Sequence, residues 1–429
     1  MKMEKLGFAG KLGGAFIHSK LTPVIAVSSL LLGLMAVLLT PKEEEPQISV
    51  PMIDIRTAAP GLTAEETERK ITEPVERAVW GLDGVEYVYS SSQAHGSLVT
   101  VRFKVGEPME PSLVKIHHKL MTIRDELPKQ SLPSQVKSFS IDDVPFMVLT
   151  FTSDRLDDFE LRTRVAPLAR ELSSTPDLAR VELLGGRKRS IRVIADPKKM
   201  QTHGVSLLSL AQALESNDAL SPAGKNWSEK EVVDVEVGGR LRDREDVART
   251  AVGQRSGRVV FVEDVAQVVD GPEERVRGSV LTEKGRAPAK AVSIVFAKRK
   301  GTNVVTLSKE LLERARMFTT KQGAEADLRM TVVRDYGSTA SDKSNELIEH
   351  LLLATLSVSV LIAIFMGLRA SLVVAIAIPV TLALTLAIYY FMGYTLNRVT
   401  LFALIFSIGI LVDDAIVVVE NIERHLKDD

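Results

Sequence analysis

The sequence contains no cysteine, and only 5% of its residues are aromatic. The absence of cysteine excludes disulfide bonds, thiolate metal sites and cysteine nucleophiles, although it does not identify the cellular compartment. Charges of the two signs nearly balance, because 54 Lys and Arg stand against 55 Asp and Glu. The resulting net charge of −1 gives no support for binding to nucleic acid. The sequence also lacks a Walker motif, a nucleophile elbow and an HExxH motif, so ATP hydrolysis and peptidase chemistry have no support.

What the sequence has instead is long apolar runs, at residues 21–39, 347–368, 372–392 and 399–419. Each run is long enough to cross a bilayer as a helix. The first run could be a cleaved signal peptide, but Pro41 and three glutamates follow it where a small-x-small cleavage site would be needed. Because lysines precede this run, we expect a cytoplasmic N-terminus and an exterior location for the long segment between the first two spans.

The segment between the first two spans alternates between strand-like and helix-like periodicity. The first part predicts strands at 48–57, 84–91 and 98–105 and helices at 63–80 and 111–127. A second part predicts strands at 146–152, 179–184, 289–297 and 329–335 and helices at 157–173 and 304–318. Residues 187–278 differ, with one helix at 207–216 and short strands bounded by glycine. We therefore predict two α+β units with helices on one face of an antiparallel sheet, the second unit being split by an insertion.

Two adjacent aspartates, Asp413 and Asp414, lie inside the fourth apolar run. An ionised carboxylate at the centre of a bilayer costs about 2.5–3.5 kcal/mol on insertion scales, and two neighbouring carboxylates also repel each other. A helix with only a structural role would not contain such a destabilising pair, so the pair predicts a functional site that loads and releases protons. Because the two carboxylates interact, they titrate together. The alternatives are a structural cation site and a helix end that lies in water.

The segment around the two aspartates, residues 409–424 (GILVDDAIVVVENIER), resembles the fourth-helix signature of the resistance-nodulation-division (RND) transporters, in their drug-exporting branch. Further matches are Ala-Pro-Gly at 59–61, GLDGVEY at 81–87 and Ser-Pro-Ala-Gly at 221–224. The order of one span, a large α+β segment and three closely spaced spans also fits this family. The resemblance therefore extends over essentially the whole chain.

This resemblance implies a membrane α-helical plus α+β fold. Four transmembrane helices would accompany a large periplasmic region of ferredoxin-like βαβ porter subdomains with an inserted docking subdomain. The implied division is 1–45 for the cytoplasmic N-terminus and first span, 46–143 for the first porter subdomain, 144–186 and 279–335 for the split second porter subdomain, 187–278 for the docking subdomain, and 336–429 for the second to fourth spans.

The resemblance further implies a proton-driven efflux permease of the bacterial inner membrane that exports amphipathic organic compounds by proton antiport. Such a protein is a secondary transporter and no enzyme, and it uses the proton-motive force without a cofactor or resident metal. A homotrimer when full length, a periplasmic adaptor protein and an outer-membrane channel are the implied partners. The alternatives are a heavy-metal cation exporter, a protein-export accessory and an inactive fragment. The Asp-Asp form of the fourth span and the scattered methionines count against the metal exporter.

The sequence departs from the family pattern in three respects. Family members have twelve spans in two similar halves, and the second half supplies a lysine that pairs with the aspartates. This sequence contains four spans, so we expect a longer protein or a partner chain to complete the transporter. Leu184 stands where drug pumps often have a phenylalanine. The segment after Gly224 is short for the hairpin that reaches a neighbouring protomer.

Three other polar clusters have simpler interpretations. We interpret Glu43–Glu45 as a solvated segment leading out of the membrane, and Arg187–Arg189 as an exposed turn after two glycines. His117 and His118 are consecutive and cannot share a helix face for metal binding, so a surface pair is the preferred interpretation.

Overall fold

The computed structural model describes residues 14, 16, 19–46, 50–139, 143–228 and 231–428. Within these ranges, the side chains of 322–326, 347, 412, 414, 415, 423 and 425–428 are outside the description. The start of the strand predicted at 48–57 and most of the lysines before the first span therefore fall outside the described residues.

The described elements alternate between helix and strand along most of the chain. The helices are α1 (Leu21–Leu39), α2 (Ala64–Thr67), α3 (Glu73–Trp80), α4 (Met109–Thr122), α5 (Asp158–Ser173), α6 (Pro197–His203), α7 (Leu207–Asn217), α8 (Arg244–Ala248), α9 (Val262–Val265), α10 (Val304–Ala326), α11 (Tyr336–Met366), α12 (Leu368–Phe391) and α13 (Arg398–Asp428). The strands are β1 (Met52–Ala58), β2 (Val85–Gln93), β3 (Gly96–Phe103), β4 (Gln135–Phe139), β5 (Met147–Thr152), β6 (Leu178–Leu184), β7 (Arg189–Ala195), β8 (Ala219–Trp227), β9 (Val232–Gly239), β10 (Ala251–Arg255), β11 (Arg258–Phe261), β12 (Ala266–Pro272), β13 (Val280–Leu281), β14 (Ala289–Lys298) and β15 (Arg329–Asp335).

The first α+β unit is an antiparallel sheet in the order β2-β3-β1-β4. Strand β3 alternates strictly, so that Val99, Val101 and Phe103 are buried while their neighbours are partly exposed. This is the pattern of a sheet with one face on a core, and residues of α3 and α4 complete that core. We call residues 50–139 the four-stranded unit.

The helix predicted at 63–80 is confirmed in position but not in regularity. It begins with the expected capping box, in which the side chains and backbone amides of Thr63 and Glu66 bond reciprocally. A π-helical turn at Glu68–Thr72 then separates α2 from α3. Pro74, in the first turn of α3, has no amide hydrogen to donate to the preceding turn, which accounts for the irregularity.

The second α+β unit has the same strand order as the first. Its sheet runs β13-β14-β5-β15. Strand β6 lies on the same side of β14 as the short strand β13 and pairs with the later part of β14, so the long strands follow the order β6-β14-β5-β15. Ser293 of β14 lies opposite Thr150 on one side and Leu184 on the other. Strands from before and after residues 187–278 therefore belong to one sheet, and α5 and α10 pack on its core. We call this sheet with α5 and α10 the five-stranded unit.

Residues between the two parts of the five-stranded unit form a separate small core from α7, α9, β11 and β12. Strands β7 and β12 run side by side as its connection to the five-stranded unit. Strands β8 and β9, of nine and eight residues, pair as a hairpin, and every residue of the two strands is exposed. The segment after Gly224 thus contributes to a hairpin, and whether this hairpin reaches a neighbouring protomer stays a prediction.

Among the described residues, α1, α11, α12 and α13 are long and apolar enough to cross a membrane, as predicted. Strand β15 runs directly into α11, and Asp335 at the junction caps this helix by accepting a bond from the Ser338 amide. Helix α1 packs tightly against α12 at Gly33, where an added Cβ would overlap the Cβ and backbone of Ala383. Helices α11, α12 and α13 share an apolar core. Small residues permit this close packing of membrane helices.

Candidate functional site

Helix α13, which contains both aspartates, has a defined start. The Asn397 side chain accepts hydrogen bonds of 3.0 Å from the amides of Val399 and Thr400, as an N-cap residue does. One side of the helix packs against α11 and α12. This packed side consists of buried residues at spacings of three, four and eleven positions, Leu401, Leu404, Ile408 and Val419.

Asp413 lies on the other side of α13 and is exposed. At 3.6 residues per turn, Phe402, Phe406, Ile410, Asp413 and Val417 fall within an arc of about 80°. The four apolar members of this set are 53–70% exposed. We call these five residues the acidic stripe of α13. Asp414 belongs to the same helix, but its side chain is outside the described residues.

The acidic stripe is not a surface that hydrocarbon alone can cover. Its apolar members suit lipid or protein, whereas an ionised carboxylate in lipid costs several kcal/mol. Within the described part of the chain, no Lys, Arg or His forms an ion pair with Asp413. Charged residues in membrane spans normally face a protein interior or a water-filled cavity. The stripe therefore has the properties of a surface that further protein covers.

The first turn of α13 is bonded to the chain that leaves α1. The amide of Glu43 donates to the Leu396 carbonyl at 3.0 Å, and the amide of Leu396 donates to the Pro41 carbonyl at 2.9 Å. Arg398 Nη2 lies 2.8 Å from Glu45 Oε1. The end of α1 and the start of α13 are thus on the same side of the helices, next to the α+β region.

The interpretation of Glu43 as a solvated residue is wrong. Glu43 is only 2% exposed, and its Oε1 lies 2.7 Å from Nζ of Lys298, the last residue of β14. The chain returning at Thr395–Leu396 and the end of β14 cover it, which a local reading of three glutamates does not reveal. Glu44 is partly buried, and burial together with the charge of Glu45 raises the pKa of its carboxyl, against the opposing charge of Arg398.

The interpretation of Arg187 as part of an exposed turn is also wrong. Arg187 Nη2 lies 2.8 Å from Oδ1 of Asp158, the buried first residue of α5, and Arg275 Nη2 lies 2.9 Å from Oδ2. Burial acts to raise the pKa of Asp158, but the hydrogen bond and charge of Arg187 and the charge of Arg275 outweigh it and hold the pKa below its usual range. Asp158 thereby binds both chain segments that connect the inserted region.

The remaining sequence candidates are His117, His118 and Leu184. His117 and His118 are both exposed on α4, which confirms the surface interpretation. Leu184 ends β6 and is 47% exposed. Among the described residues, no three or more His, Asp or Glu side chains lie close enough together to hold a metal ion.

Comparison with known proteins places these features in a family. The model of the AcrB/AcrD/AcrF family matches residues 15–429. Similar curated relatives include "Multidrug resistance protein MdtC" of Yersinia pseudotuberculosis serotype O:1b (strain IP 31758) and of Yersinia pestis bv. Antiqua (strain Angola). Each is 27% identical over 410 residues, which are 95% of this chain but 39% of the relative. Because the family model covers nearly the whole sequence, the chain belongs to the AcrB/AcrD/AcrF family of RND transporters.

Proposed function

We propose that the chain is the N-terminal part of a proton-driven efflux permease that exports amphipathic organic compounds by proton antiport. The observation that carries this proposal is the acidic stripe of α13, in which an exposed carboxylate lies among exposed apolar residues of a membrane helix. The relatives are named as a multidrug resistance protein, which supports a cargo of organic compounds. The chain spans 39% of those relatives, so the proposal concerns the longer protein.

In the proposed mechanism, the Asp413–Asp414 pair takes up protons from the outer side of the membrane. Neutralisation removes the cost of the charges and changes the packing of α13 against the protein that covers the acidic stripe. The family resemblance implies that this covering protein is the second half of the transporter and supplies a lysine. Movement of α13 and α11 then opens and closes the exterior units in turn.

The exterior region is proposed to be periplasmic. The shared strand order of the four-stranded and five-stranded units supports two ferredoxin-like porter subdomains, at 46–143 and at 144–186 with 279–335. Residues 187–278, which have their own small core, are the proposed docking subdomain. The inner membrane of a bacterium, multiply crossed, is the proposed location.

The proposed partners are two further copies of the full-length protein, a periplasmic adaptor and an outer-membrane channel. The hairpin of β8 and β9 supports the trimer, because all residues of both strands are exposed and the strands present Trp227 (74% exposed) and Val237 (63% exposed). Apolar side chains in such a position are suited to contact with another protein surface.

The test replaces Asp413 and Asp414 together with asparagine in the full-length protein, in cells that lack other efflux pumps. Asparagine keeps the shape of the side chain but cannot carry a proton, so efflux of dyes and drugs is expected to be lost at unchanged protein abundance. Glu420→Gln, at an exposed position of the same helix, is the matched control and is expected to retain efflux. Efflux by the double variant at the unsubstituted rate would refute the proposal.

A further inference from the structure

Residues 41–45, which we call the post-α1 segment, contact the start of α13 and the five-stranded unit at the same time. Toward α13, the segment exchanges two backbone hydrogen bonds with Leu396, and Glu45 pairs with Arg398. Thr395 Oγ1 lies 3.5 Å from the second carboxylate oxygen of Glu43. These contacts attach the segment to the last residues before the helix and to its first residue.

Toward the five-stranded unit, the post-α1 segment makes two contacts at neighbouring places. The Glu43 carboxylate accepts a 2.7 Å hydrogen bond from Lys298 at the end of β14. The Lys42 carbonyl accepts a 3.1 Å bond from the amide of Val304, the first residue of α10. A strand end and a helix start of the five-stranded unit are therefore bonded to the same short segment as α13.

The Glu43–Lys298 pair is suited to position these parts rather than to add stability. Glu43 is 2% exposed, and the Lys298 side chain is 14% exposed. The free-energy cost of removing two charges from water offsets most of their attraction, so an apolar pair of similar size would stabilise the fold equally. A charged hydrogen bond is directional, however, and loss of either partner removes the bond that joins the end of β14 to the post-α1 segment. The pair therefore fixes the end of β14 in one position relative to the start of α13.

Helix α13 provides a stiff connection between this contact and the aspartates. Asp413 lies fifteen residues after Arg398, which is about 22 Å along an α-helix. A displacement of α13 at Asp413 therefore also displaces Leu396 and, through the post-α1 segment, Lys298 and Val304. The direct passage of β15 into α11 is a separate connection, made by the peptide chain and by a helix without the aspartates.

We propose that the post-α1 segment is the joint through which α13 moves the five-stranded unit, and that Glu43 and Lys298 are its positioning residues. This inference rests on the proposed function, because it requires that α13 moves in a proton cycle. Its distinctive consequence is that loss of the pair separates proton uptake from movement of the exterior unit.

The test uses the full-length protein reconstituted in lipid vesicles and compares Glu43→Gln, Lys298→Met and the exchange Glu43→Lys with Lys298→Glu. Each single variant is expected to transport at least about tenfold more slowly than the unsubstituted protein at equal amounts, because the ion pair between the post-α1 segment and the end of β14 is lost. The exchange and the conservative variant Lys298→Arg are expected to recover much of the rate. Lys70→Met, which breaks an exposed pair with Glu66 in the four-stranded unit, is the control and is expected to stay within about twofold.

Two further readouts distinguish a joint from general damage. Carbodiimide labelling of Asp413 and Asp414 as a function of pH is expected to be unchanged in the single variants, since proton uptake does not need the pair. Spin labels attached to cysteines at Lys309→Cys and Glu420→Cys report the distance between α10 and α13. This sequence contains no cysteine of its own that would also be labelled. This distance is expected to change with pH in the unsubstituted protein and to stop changing in Glu43→Gln.

The outcomes separate the two proposals. Normal transport by Glu43→Gln and Lys298→Met, while replacement of both aspartates abolishes transport, overturns the joint and leaves the proposed function intact. Normal transport after replacement of both aspartates overturns the proposed function itself. A slow exchange variant with normal abundance, or an altered pH profile of carbodiimide labelling in Glu43→Gln, also counts against the joint.

Discussion

The four-stranded and five-stranded units have the same strand order, but among the described residues their polar contacts with the membrane helices and the post-α1 segment differ. In the five-stranded unit, Lys298 forms an ion pair with the post-α1 segment, and Asp335 caps α11. In the four-stranded unit, the hydroxyl groups of Thr72 and Ser97 are 2.7 Å apart and bond within the unit. The strand order alone therefore does not decide which unit is attached to the membrane helices, because the two units share a strand order and differ in their contacts.

Among the substitutions that test this difference, the largest change in stability and transport is expected at the contact of α1 with α12. In Gly33→Leu, the Cβ of the new side chain would overlap the Cβ and Cα of Ala383, so the helices must separate. Overpacking of this kind typically costs about 1–3 kcal/mol, and more where backbone is in the way. We expect a lower thermal unfolding temperature and weaker transport, since α1 leads into the post-α1 segment.

The matched control is Gly409→Ala on α13, where an added Cβ meets nothing within 4 Å in the described part of the chain. The two variants are compared by thermal unfolding of the purified full-length protein in detergent. Equal unfolding temperatures for Gly33→Leu and the unsubstituted protein would contradict the close helix contact.

The sequence predicted the membrane spans and most strands and helices, because these follow from local periodicity. It also predicted that Asp413 and Asp414 interrupt an apolar span. The side of α13 on which Asp413 lies depends on which residues pack against α11 and α12, and helical periodicity alone leaves that open. Glu43 and Lys298 are 255 positions apart, and the two glutamates that follow Glu43 indicate exposure. A lysine that ends the largely buried strand β14 is a weak signal that a partner is needed.

A second effect is expected where the inserted region joins the five-stranded unit. The pKa of Asp158 is held below its usual range, so its ion pairs stabilise the fold at pH values above the pKa of an unfolded aspartate, about 3.9. This stabilisation is lost as the pH falls through the lower, folded-state value. In Arg187→Met the pKa of Asp158 is expected to rise, so the free energy of unfolding falls by about 1–2 kcal/mol at pH 7 and acid unfolding begins at higher pH.

Unfolding between pH 7 and pH 3 measures this shift, with Arg189→Met as the control. Arg189 pairs with Asp270, but its side chain is 62% exposed, so its loss is expected to change stability by less than about 1 kcal/mol. Coinciding acid-unfolding curves for Arg187→Met and the unsubstituted protein would show that the charge of Arg275 alone holds Asp158 ionised.

The smallest effect is expected inside the four-stranded unit and tests the comparison from its other side. Thr72 is 2% exposed, and its hydroxyl lies within 2.8 Å of the hydroxyls of Ser92 and Ser97. Thr72→Val keeps the shape but removes these bonds, which is expected to cost about 1 kcal/mol. Because these bonds remain within the unit, the pH-dependent distance between α10 and α13 is expected to be unchanged. If Thr72→Val abolishes that change, as is expected of Glu43→Gln, the two units move as one body. The difference in their contacts would then not affect how they move.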